Sequence, residues 1–538
     1  MAIYDAFPYT NIHELNLAWC LKQLKSTQEY LDLLKAYLDE VQPELEDFKA
    51  KYPELADIAD LFTVSGNNAS IAGTMTASGF IGNATSATTA RHATEADHAD
   101  TADAIAGAQN EYRKLTYNKY HLFTMPVALN SWFDKLFIYE SNDKVNYRWY
   151  MDVEALKNSG GNTVYVDKSS TGTDAGTQAN PYKTVRKGFQ NTNNGDTILV
   201  AKGIYYKNDL PPNVPITMNN VNLICEKGTI FCNGDALTWA QDGTYTNVYK
   251  ATRSNVSSVI DIRNMDKDVF SALVWTNSVA ACSNTLGSWY LENNTTLYVN
   301  IGEAVTNDKV VAALNVGYIP FDFKPDSQDM HIYMENAICF GSASPLVKVS
   351  STSSYDCEFI AKNCKFLFGD KNSTYDGLSV LGAKTVLIGC EASFTGKDGF
   401  NYHAQGSKVC YGIEIDCVGN SNGIGSNTPY TYNGSTAHDG CQVVRINGTY
   451  INNKGANVAD VQSNTISVNI NCMAFDSVAD TDTLFDTDFC VQQAGATMYL
   501  YNCYARGYSW RNLYNIDGGS MYVSNCAFDS SEGNITQI

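Results

Sequence analysis

Histidine and aspartate side chains recur at related places in the second half of this sequence, and together they could carry acid–base chemistry. His403 and His438 lie 35 residues apart, and Asp439 directly follows the second histidine. An imidazole titrates near neutral pH, and a carboxylate beside it can hold it in one orientation or share its proton. With Asp376 and Asp460, these residues could supply the general acid and base of a hydrolytic site.

The elements that must position these residues follow from a recurring Asn, Gly or Asp, usually followed by Cys. The intervals between copies run from 23 to 31 residues, which suits one turn of a solenoid. These residues tolerate a left-handed backbone, so each copy predicts a corner at the same place in every turn of a parallel β-helix. Stacked Asn amides can bond along such a column, and Cys side chains can fill the narrow lumen. The predicted corners are Asn336, Asn363, Gly389, Asp416, Asn447, Asn471, Asn502 and Asn525.

Counting back from each corner places the candidate residues relative to one another. Asp376 and His403 lie 13 residues before their corners, Asp460 lies 11 before, His438 nine and Asp439 eight. Corresponding positions in successive turns stack about 5 Å apart, so we expect these groups to line one longitudinal strip. The alternative is that they are polar side chains solvated on the exterior of the solenoid.

A second polar pair, Glu414 and Arg445, lies two residues before the corners of neighbouring turns. Alternation with Ile413 and Ile415 predicts that Glu414 points outward while the isoleucines fill the lumen, and Arg445 has the same phase. We expect the two side chains to touch across the turns, either within the site or as an ordinary ladder salt bridge. The arginine could bind phosphate or carboxylate as a planar fork. Asp416 is left out of the site because its corner position already explains it.

Two kinds of reaction fit these residue types. Glycoside hydrolysis needs two carboxyl groups, roughly 6.5 to 9.5 Å apart for inversion and about 5 to 5.5 Å for retention, and stacked turns can supply either spacing. Alternatively, His438, Asp439 and Asp460 could hold a divalent metal for phosphodiester hydrolysis, but no metal motif of defined spacing supports this. We predict no metal and no cofactor, and the sequence leaves open whether the site is catalytic.

Composition limits the function classes. The chain has 538 residues, and its 37 Lys and Arg against 57 Asp and Glu give a net charge of −20, which argues against nucleic acid as a partner. We expect neither a secretion signal nor a membrane span, because no basic start precedes an apolar core and no apolar run approaches about 18 residues. The 15 Cys are odd in number and six lie in the corner column, so we expect reduced thiols and assembly in a cytoplasm.

The chain before the solenoid predicts three successive segments. Apolar residues from Leu17 onward keep heptad spacing, which indicates a self-associating coiled coil over residues 1–63; the alternative is an amphipathic helix packed on its own domain. Residues 64–110 are rich in Ala, Thr, Ser and Gly, and an Ala stands at every third position from Ala84 to Ala102, which favours a trimeric stalk over a flexible linker. Residues 111–160 are rich in aromatic side chains and predict a small adaptor.

A different signature follows the adaptor and marks the start of a β-helix over residues 161–538. Thr163–Asp167, a glycine-containing loop, Asn180–Thr184 and Gly195–Val200 follow one another. This order resembles the N-terminal end of pectate-lyase-like right-handed β-helices, in which a strand, a loop, a capping helix and a second strand close the solenoid. The fold class is therefore mainly β, and at about 25 residues per turn the chain has room for roughly 15 turns.

A further resemblance concerns the window that holds the candidate residues. Lys397–His403, Ser435–Gly440, Arg445–Gly448 and Val458–Asp460 are similar to the β-helix of preneck appendage proteins from small short-tailed phages of Gram-positive bacteria. The resemblance implies trimeric host-adsorption appendages, some of which cleave cell-wall teichoic acid. With the residues that it adds, the catalytic candidates are Asp398, His403, Glu414, His438, Asp439 and Asp460, and the substrate-binding candidates are Arg445, Tyr402 and Asp376.

The N-terminal stretch Asn11–Leu17, followed by Trp19, is similar to the particle-anchoring start of fibre proteins in such phages. The sequence thus predicts a homotrimeric tail spike or fibre of the virion, attached to neck, tail or head proteins through residues 1–63. It would bind a host cell-surface glycopolymer such as teichoic acid or polysaccharide, and cleavage is left open. Neither nucleic acid nor a membrane is an expected partner. The alternative is a purely structural head or collar fibre without enzymatic activity.

Overall fold

The computed structural model describes residues 62–65, 68–71, 120–217, 220–341, 343–370, 375–424, 432–478, 486–507 and 509–538. The chain forms two compact units, residues 1–106 and 107–538. In the first unit, strands Phe62–Ser65 and Asn68–Ile71 pair antiparallel. The predicted coiled coil and stalk otherwise lie outside the described residues and stay predictions.

The second unit is built around a parallel β-helix of about eleven turns, whose complete turns add one strand to each of three sheets. Sheet A contains Phe321–Phe323, Val347–Ser350, Leu378–Leu381, Phe400–His403, Ser435–Ala437, Ala456–Val461, Thr487–Gln492, Arg511–Ile516 and Ser531–Glu532. Sheet B contains Thr163–Val166, Thr197–Val200, Cys357–Lys362, Lys384–Ile388, Tyr411–Ile415, Gln442–Ile446, Ile466–Ile470, Thr497–Tyr501, Ser520–Ser524 and Ile535–Gln537. Sheet C contains Ile204–Tyr206, Lys365–Leu367, Glu391–Ser393, Val418–Asn420, Thr449–Ile451, Met473–Phe475, Tyr504–Arg506 and Ala527–Phe528. The long strands Asn220–Cys232 and Met330–Phe340 run from sheet B into sheet C.

The corners between sheets B and C confirm the predicted column. All eight predicted residues have φ between 50° and 60°, which is the left-handed region. Their amides also bond along the helix: Asn447 Nδ2 donates to Asp416 Oδ1 at 2.9 Å, and Asn471 Nδ2 donates to Asn447 Oδ1 at 3.1 Å. The column continues through Asn502 and Asn525 at 2.8 and 2.9 Å. Asn is therefore used both for its backbone freedom and for its amide.

The cysteines that follow these corners point into the lumen. Cys364, Cys390 and Cys417 are buried, and their thiols donate weakly to backbone carbonyls two residues earlier or in the preceding turn at 3.4 to 3.6 Å. Every cysteine among the described residues is a free thiol. They act as small apolar side chains that pack in the lumen.

A second polar column lies at the opposite corner, between sheets C and A. Asn422 Nδ2 donates to Asn453 Oδ1 at 2.9 Å, and Asn453 Nδ2 donates to Asn457 Oδ1 at 2.8 Å. Asn457 and Asn512 then donate to the two carboxylate oxygens of Asp488 at 3.0 and 2.7 Å. All five side chains are buried, so the column satisfies polar groups that would otherwise be unpaired in the interior.

The N-terminal end of the solenoid has the predicted cap. Strand Thr163–Val166 is followed by helix Val185–Gln190 and by strand Thr197–Val200. Thr184 caps the helix by accepting a hydrogen bond from Lys187 N at 3.2 Å. Buried Val185 and Phe189 join the apolar lumen, so the helix covers the first turn. A short 3-10 helix, Lys207–Asp209, follows.

An insertion between strands Asn220–Cys232 and Met330–Phe340 interrupts the β-helix. Its first sheet contains Ala240–Gln241, Tyr249–Thr252, Thr296–Asn300, Ser288–Glu292 and Val274–Trp275, and its second contains Ser271–Ala272, Val256–Asp261 and Val310–Leu314. Helix Val279–Asn284 and the 3-10 helix Met265–Lys267 complete it. The predicted 15 turns were too many, because the insertion uses residues that the count assigned to the solenoid.

The adaptor region is a small antiparallel sheet that packs on the outer side of sheet B. Its strands are Tyr120–Leu122, Phe137–Ser141 and Tyr147–Tyr150, and its 3-10 helices are Ser131–Lys135 and Glu154–Leu156. One apolar cluster joins adaptor side chains to sheet B side chains that run from Tyr333 to Tyr501. Both faces of sheet B are therefore buried. No helix in the described ranges is long and apolar enough to span a membrane.

Candidate functional site

The outer face of sheet A brings the two candidate histidines together. In strand Phe400–His403 the side chains alternate, so Tyr402 enters the lumen and His403 points outward. Tyr402 pairs with Ala437 in the next turn, which places His438 beside His403. The two imidazole rings are stacked with centroids 4.1 Å apart and 9° between their planes. The predicted neighbourhood of these two residues is confirmed.

Asp439 orients one of these rings. His403 Nδ1 lies 3.0 Å from Asp439 Oδ2, and the same oxygen accepts a hydrogen bond from Ala404 N at 3.3 Å. A carboxylate at Nδ1 favours the tautomer in which Nε2 is free to accept a proton. The side chains of His403 and Asp439 are 32% and 36% exposed, so this pair can reach a ligand in solvent.

His438 is held as a neutral imidazole. Burial lowers the pKa of His438 well below its ordinary value, and His403 and Lys397 lower it further by charge repulsion. Its Nε2 lies 3.1 Å from Thr436 Oγ1. A neutral ring stacked on His403 can support that ring without competing for its proton.

Two carboxylates from adjacent turns share one ammonium group on the same side of the solenoid. Lys397 Nζ lies 3.5 Å from Asp376 Oδ1 and 3.2 Å from Asp398 Oδ2. Asn401 Nδ2 donates to Asp376 Oδ1 at 3.0 Å, and Asn433 N donates to Asp398 Oδ1 at 2.8 Å. Gly377 N donates to the carbonyl of Asp398 at 2.8 Å, so the two aspartates lie about one strand spacing apart, roughly 5 Å.

Burial and charge act on both Asp398 and Lys397. Burial raises the pKa of Asp398, and the neighbouring Asp376 carboxylate adds to the rise, while Lys397 opposes it. Burial alone would lower the pKa of Lys397, but the two carboxylates raise it above its ordinary value. Lys397 therefore stays charged. Lys397 was not among the predicted site residues, although it lies in the window that carries the family resemblance.

Glu414 and Arg445 point into the lumen, which corrects the predicted outward orientation. Their contact is present, because Arg445 Nε lies 3.8 Å from Glu414 Oε1 and both side chains have no exposed surface. Ser435 bridges them: it donates to Glu414 Oε1 at 2.7 Å and accepts from Arg445 Nε at 2.9 Å. Tyr450 donates to Glu414 Oε2 at 2.6 Å. The prediction failed because Ile413 and its neighbours are covered by the adaptor instead of by the lumen.

Asp460 and Tyr402 also lie in the lumen. Arg445 binds Asp460 through two hydrogen bonds, at 3.0 Å from Nη1 and 2.9 Å from Nη2. The predicted strip therefore does not include Asp460, and the considered metal set of His438, Asp439 and Asp460 is not formed. Within the described ranges, no group of three His, Cys, Asp or Glu side chains is arranged to hold a metal ion.

Connections of different length explain the error at Asp460. His403 lies 13 positions before its corner and His438 lies nine positions before the next corner, yet the two histidines are neighbours on sheet A. The sheet register pairs Asp460 with Ala437, so Val461 is the residue that continues the outward row. Counting from a corner locates the strand but does not fix which face a side chain takes.

The chain is similar to several solved structures at low sequence identity. No protein family profile and no curated protein matches the chain. Among solved structures it is similar to XylC in complex with xylose, at 10% identity over 70% of each chain with a TM-score of 0.35. It is similar to pectate lyase Pel9A, at 10% identity over 71% of this chain and 80% of that chain with a TM-score of 0.34. It is also similar to the tailspike protein gp49 from Pseudomonas phage LKA1, at 11% identity over 64% of this chain and 67% of that chain with a TM-score of 0.22.

Proposed function

We propose that this chain is a virion appendage, a tail spike or fibre, whose β-helix binds and cleaves a host cell-surface glycopolymer such as teichoic acid or polysaccharide. The observation that carries the proposal is the His403–Asp439 pair, which is partly exposed on the outer face of sheet A. Asp376, Asp398 and Lys397 form a second polar group just before the strands Leu378–Leu381 and Phe400–His403 of the same sheet. The Lys397 side chain is 28% exposed, whereas the two carboxylates are buried.

The proposed chemistry is general acid–base hydrolysis. His403 Nε2 would take a proton from the attacking water while Asp439 holds Nδ1 and stabilises the imidazolium that forms. The leaving oxygen of the polymer needs a proton, and the imidazolium of His403 can deliver it. The proton count balances, because the proton taken from the attacking water ends on the leaving oxygen.

The test is to incubate the purified protein with purified host wall polymer and to measure binding, released phosphate and new reducing ends. We expect His403→Ala and Asp439→Asn to abolish release while binding persists. His121→Ala is the matched control, because His121 pairs with Glu140 at 3.1 Å in the adaptor, away from the cluster. Equal release by all variants would refute the catalytic part, and absence of binding by the unaltered protein would refute the whole proposal.

The proposed assembly is a homotrimer attached to phage neck, tail or head proteins through residues 1–63, made in the host cytoplasm and acting at the host surface. Support comes from the heptad spacing and the three-residue Ala period. The mass of the full chain in solution tests this directly. A monomer at micromolar concentration would refute the trimer.

A structural fibre without enzymatic activity is the second candidate. One observation favours it: Glu414, Arg445 and Asp460 form a closed ion network in the lumen, out of reach of any ligand. Such a network orders neighbouring turns without chemistry. In that case His403→Ala would change neither binding nor release, and wall polymer would not protect the protein against thermal unfolding.

A further inference from the structure

A second column of left-handed residues follows the strands of sheet C, and two phenylalanines occupy it. The column runs through Gly341, Phe368, Phe394, Ser421, Asn452 and Asp476, with φ between 54° and 63°. Gly, Asn and Asp adopt this conformation readily, whereas a bulky side chain there is an outlier that costs stability. An aromatic residue in such a position needs a compensating role.

Burial of the side chain compensates for the left-handed conformation of Phe368 but not for that of Phe394. The Phe368 ring is 4% exposed and packs edge-on against Phe340 with centroids 5.6 Å apart. The Phe394 ring is 42% exposed, although it stacks on Phe368 at 5.1 Å with only 6° between the planes. The next residue in the column is the short Ser421, and no other ring among the described residues contacts Phe394. One face of Phe394 is backed by an aromatic ring while the residue keeps a large exposed surface.

Phe394 also lies at the start of the loop that carries the carboxylate cluster. Thr395 Oγ1 lies 3.0 Å from the carbonyl of Lys397 and 3.1 Å from that of Asp398, which folds the loop back tightly. A second exposed aromatic residue, Tyr375, is 46% exposed and directly precedes Asp376. Both carboxylates of the cluster are therefore accompanied by an exposed aromatic side chain from their own turn.

We propose that Phe394, held flat against Phe368, is a stacking platform for a sugar ring of the glycopolymer next to the Asp376–Asp398–Lys397 cluster. Aromatic rings bind through their faces to apolar surfaces, and the C–H face of a pyranose is such a surface. This inference rests on the proposed function, and it narrows the ligand to a polymer that carries a sugar ring.

The experiment compares two probes, glucosylated poly(glycerol phosphate) and the same polymer without glucose, by equilibrium binding to the full-length protein. We expect the glucosylated polymer to bind more tightly. Phe394→Asn should weaken its binding on the order of tenfold and leave binding of the plain polymer unchanged. Phe394→Trp should retain binding, because it keeps the platform.

Thermal unfolding separates this role from a structural one. Asn suits a φ of 58°, so Phe394→Asn should unfold at the same or a higher temperature than the unaltered protein. Trp275→Asn removes a residue that is 56% exposed in the insertion and serves as the matched control. We expect it to change binding of neither polymer.

Three results would overturn the inference: equal binding of the two polymers, unchanged binding by Phe394→Asn, or a lower unfolding temperature of that variant with equal loss for both polymers. If the unaltered protein binds neither polymer nor purified host wall, the proposed function itself fails.

Discussion

The lumen of the β-helix holds an ion network around Arg445, and replacing this arginine with methionine tests how that network acts. Arg445 makes two hydrogen bonds to Asp460 and lies 3.8 Å from Glu414, and all three side chains lack exposed surface. Methionine is shorter but also unbranched and apolar, so the change removes the positive charge together with the hydrogen bonds that Arg445 donates to Asp460 and Ser435. Two carboxylates then remain in the interior without a cation.

The expected decrease in the free energy of unfolding follows from the burial of these charges. Removing one partner of a buried ion pair costs about 3 to 5 kcal/mol, because the remaining charge is not solvated. A pair exposed on the surface would cost at most about 1 kcal/mol. Urea unfolding at pH 7 should therefore show a loss of about 3 to 5 kcal/mol for Arg445→Met. Arg511→Met is the matched control, since Arg511 pairs with Glu532 at 2.9 Å and both side chains are partly exposed.

The loss should also depend on pH. Burial raises the pKa of Glu414 even beside the arginine, and without the arginine the native state will hold a proton more firmly. A carboxyl whose pKa is higher in the native than in the unfolded state stabilises the native state at low pH and loses this effect as pH rises. The free energy of unfolding that Arg445→Met loses should thus be smaller at pH 5 than at pH 7. A loss below about 1 kcal/mol at both pH values would refute the buried network.

Three further outcomes are expected. Asn447→Ala should lower the free energy of unfolding by about 2 kcal/mol, because it removes two side-chain hydrogen bonds and places a Cβ-bearing apolar residue at a φ of 55°. Asn447→Gly should cost about half as much, because glycine adopts this conformation without strain. Equal losses for the two variants would contradict the left-handed corner. Burial raises the pKa of Asp488 to about 7, so the free energy of unfolding should fall as pH rises from about 4 to 7. In Asp488→Asn this dependence on pH should be weaker. Urea unfolding that shows the same pH dependence for both proteins would contradict the raised pKa of Asp488. Trp132→Ala should cost about 3 to 5 kcal/mol and expose the adaptor to limited proteolysis, because Trp132 is 7% exposed and donates to Thr385 O at 3.3 Å; protease resistance equal to that of the unaltered protein would contradict its anchoring role.

The corners were predictable from sequence because their cause is local. Asn447 and its counterparts combine a backbone preference with an amide that bonds to the next copy, and both properties belong to the residue itself. A repeat of such residues at turn-length intervals leaves few alternatives to a β-helix. The same logic located His403 and His438 on neighbouring turns.

The direction of Glu414 and Arg445 could not be read in the same way. Period-2 alternation separates two faces of a strand, but it does not say which face is the lumen. Hydrophobicity usually decides, and here it misled, because Ile413 and Ile415 pack against the adaptor. Because the isoleucines face the adaptor, Glu414 and Arg445 on the opposite face of the strands point into the lumen. Only a tertiary contact between residues far apart in the sequence resolves this, such as that between Phe133 and Tyr411, whose ring centroids are 6.3 Å apart.

The insertion was missed for a related reason. Its strands pair mainly antiparallel and need no left-handed corner at turn-length intervals. Counting residues between successive corners therefore cannot detect it. The stretch before Asn336 offered no repeat, and its residues were assigned to the solenoid by default. Phe394 was overlooked because a single phenylalanine in a strand-rich sequence resembles a core residue, and only its exposure sets it apart.

The adaptor gives the solenoid a mechanical property that stacked turns alone would lack. Turns that touch only their neighbours can peel away one at a time from a free end. Here one small sheet is fastened along seven strands of sheet B, from Met330–Phe340 to Thr497–Tyr501. A turn of the solenoid therefore cannot separate from its neighbours without also losing its contacts with the adaptor. The adaptor acts as a brace across these turns.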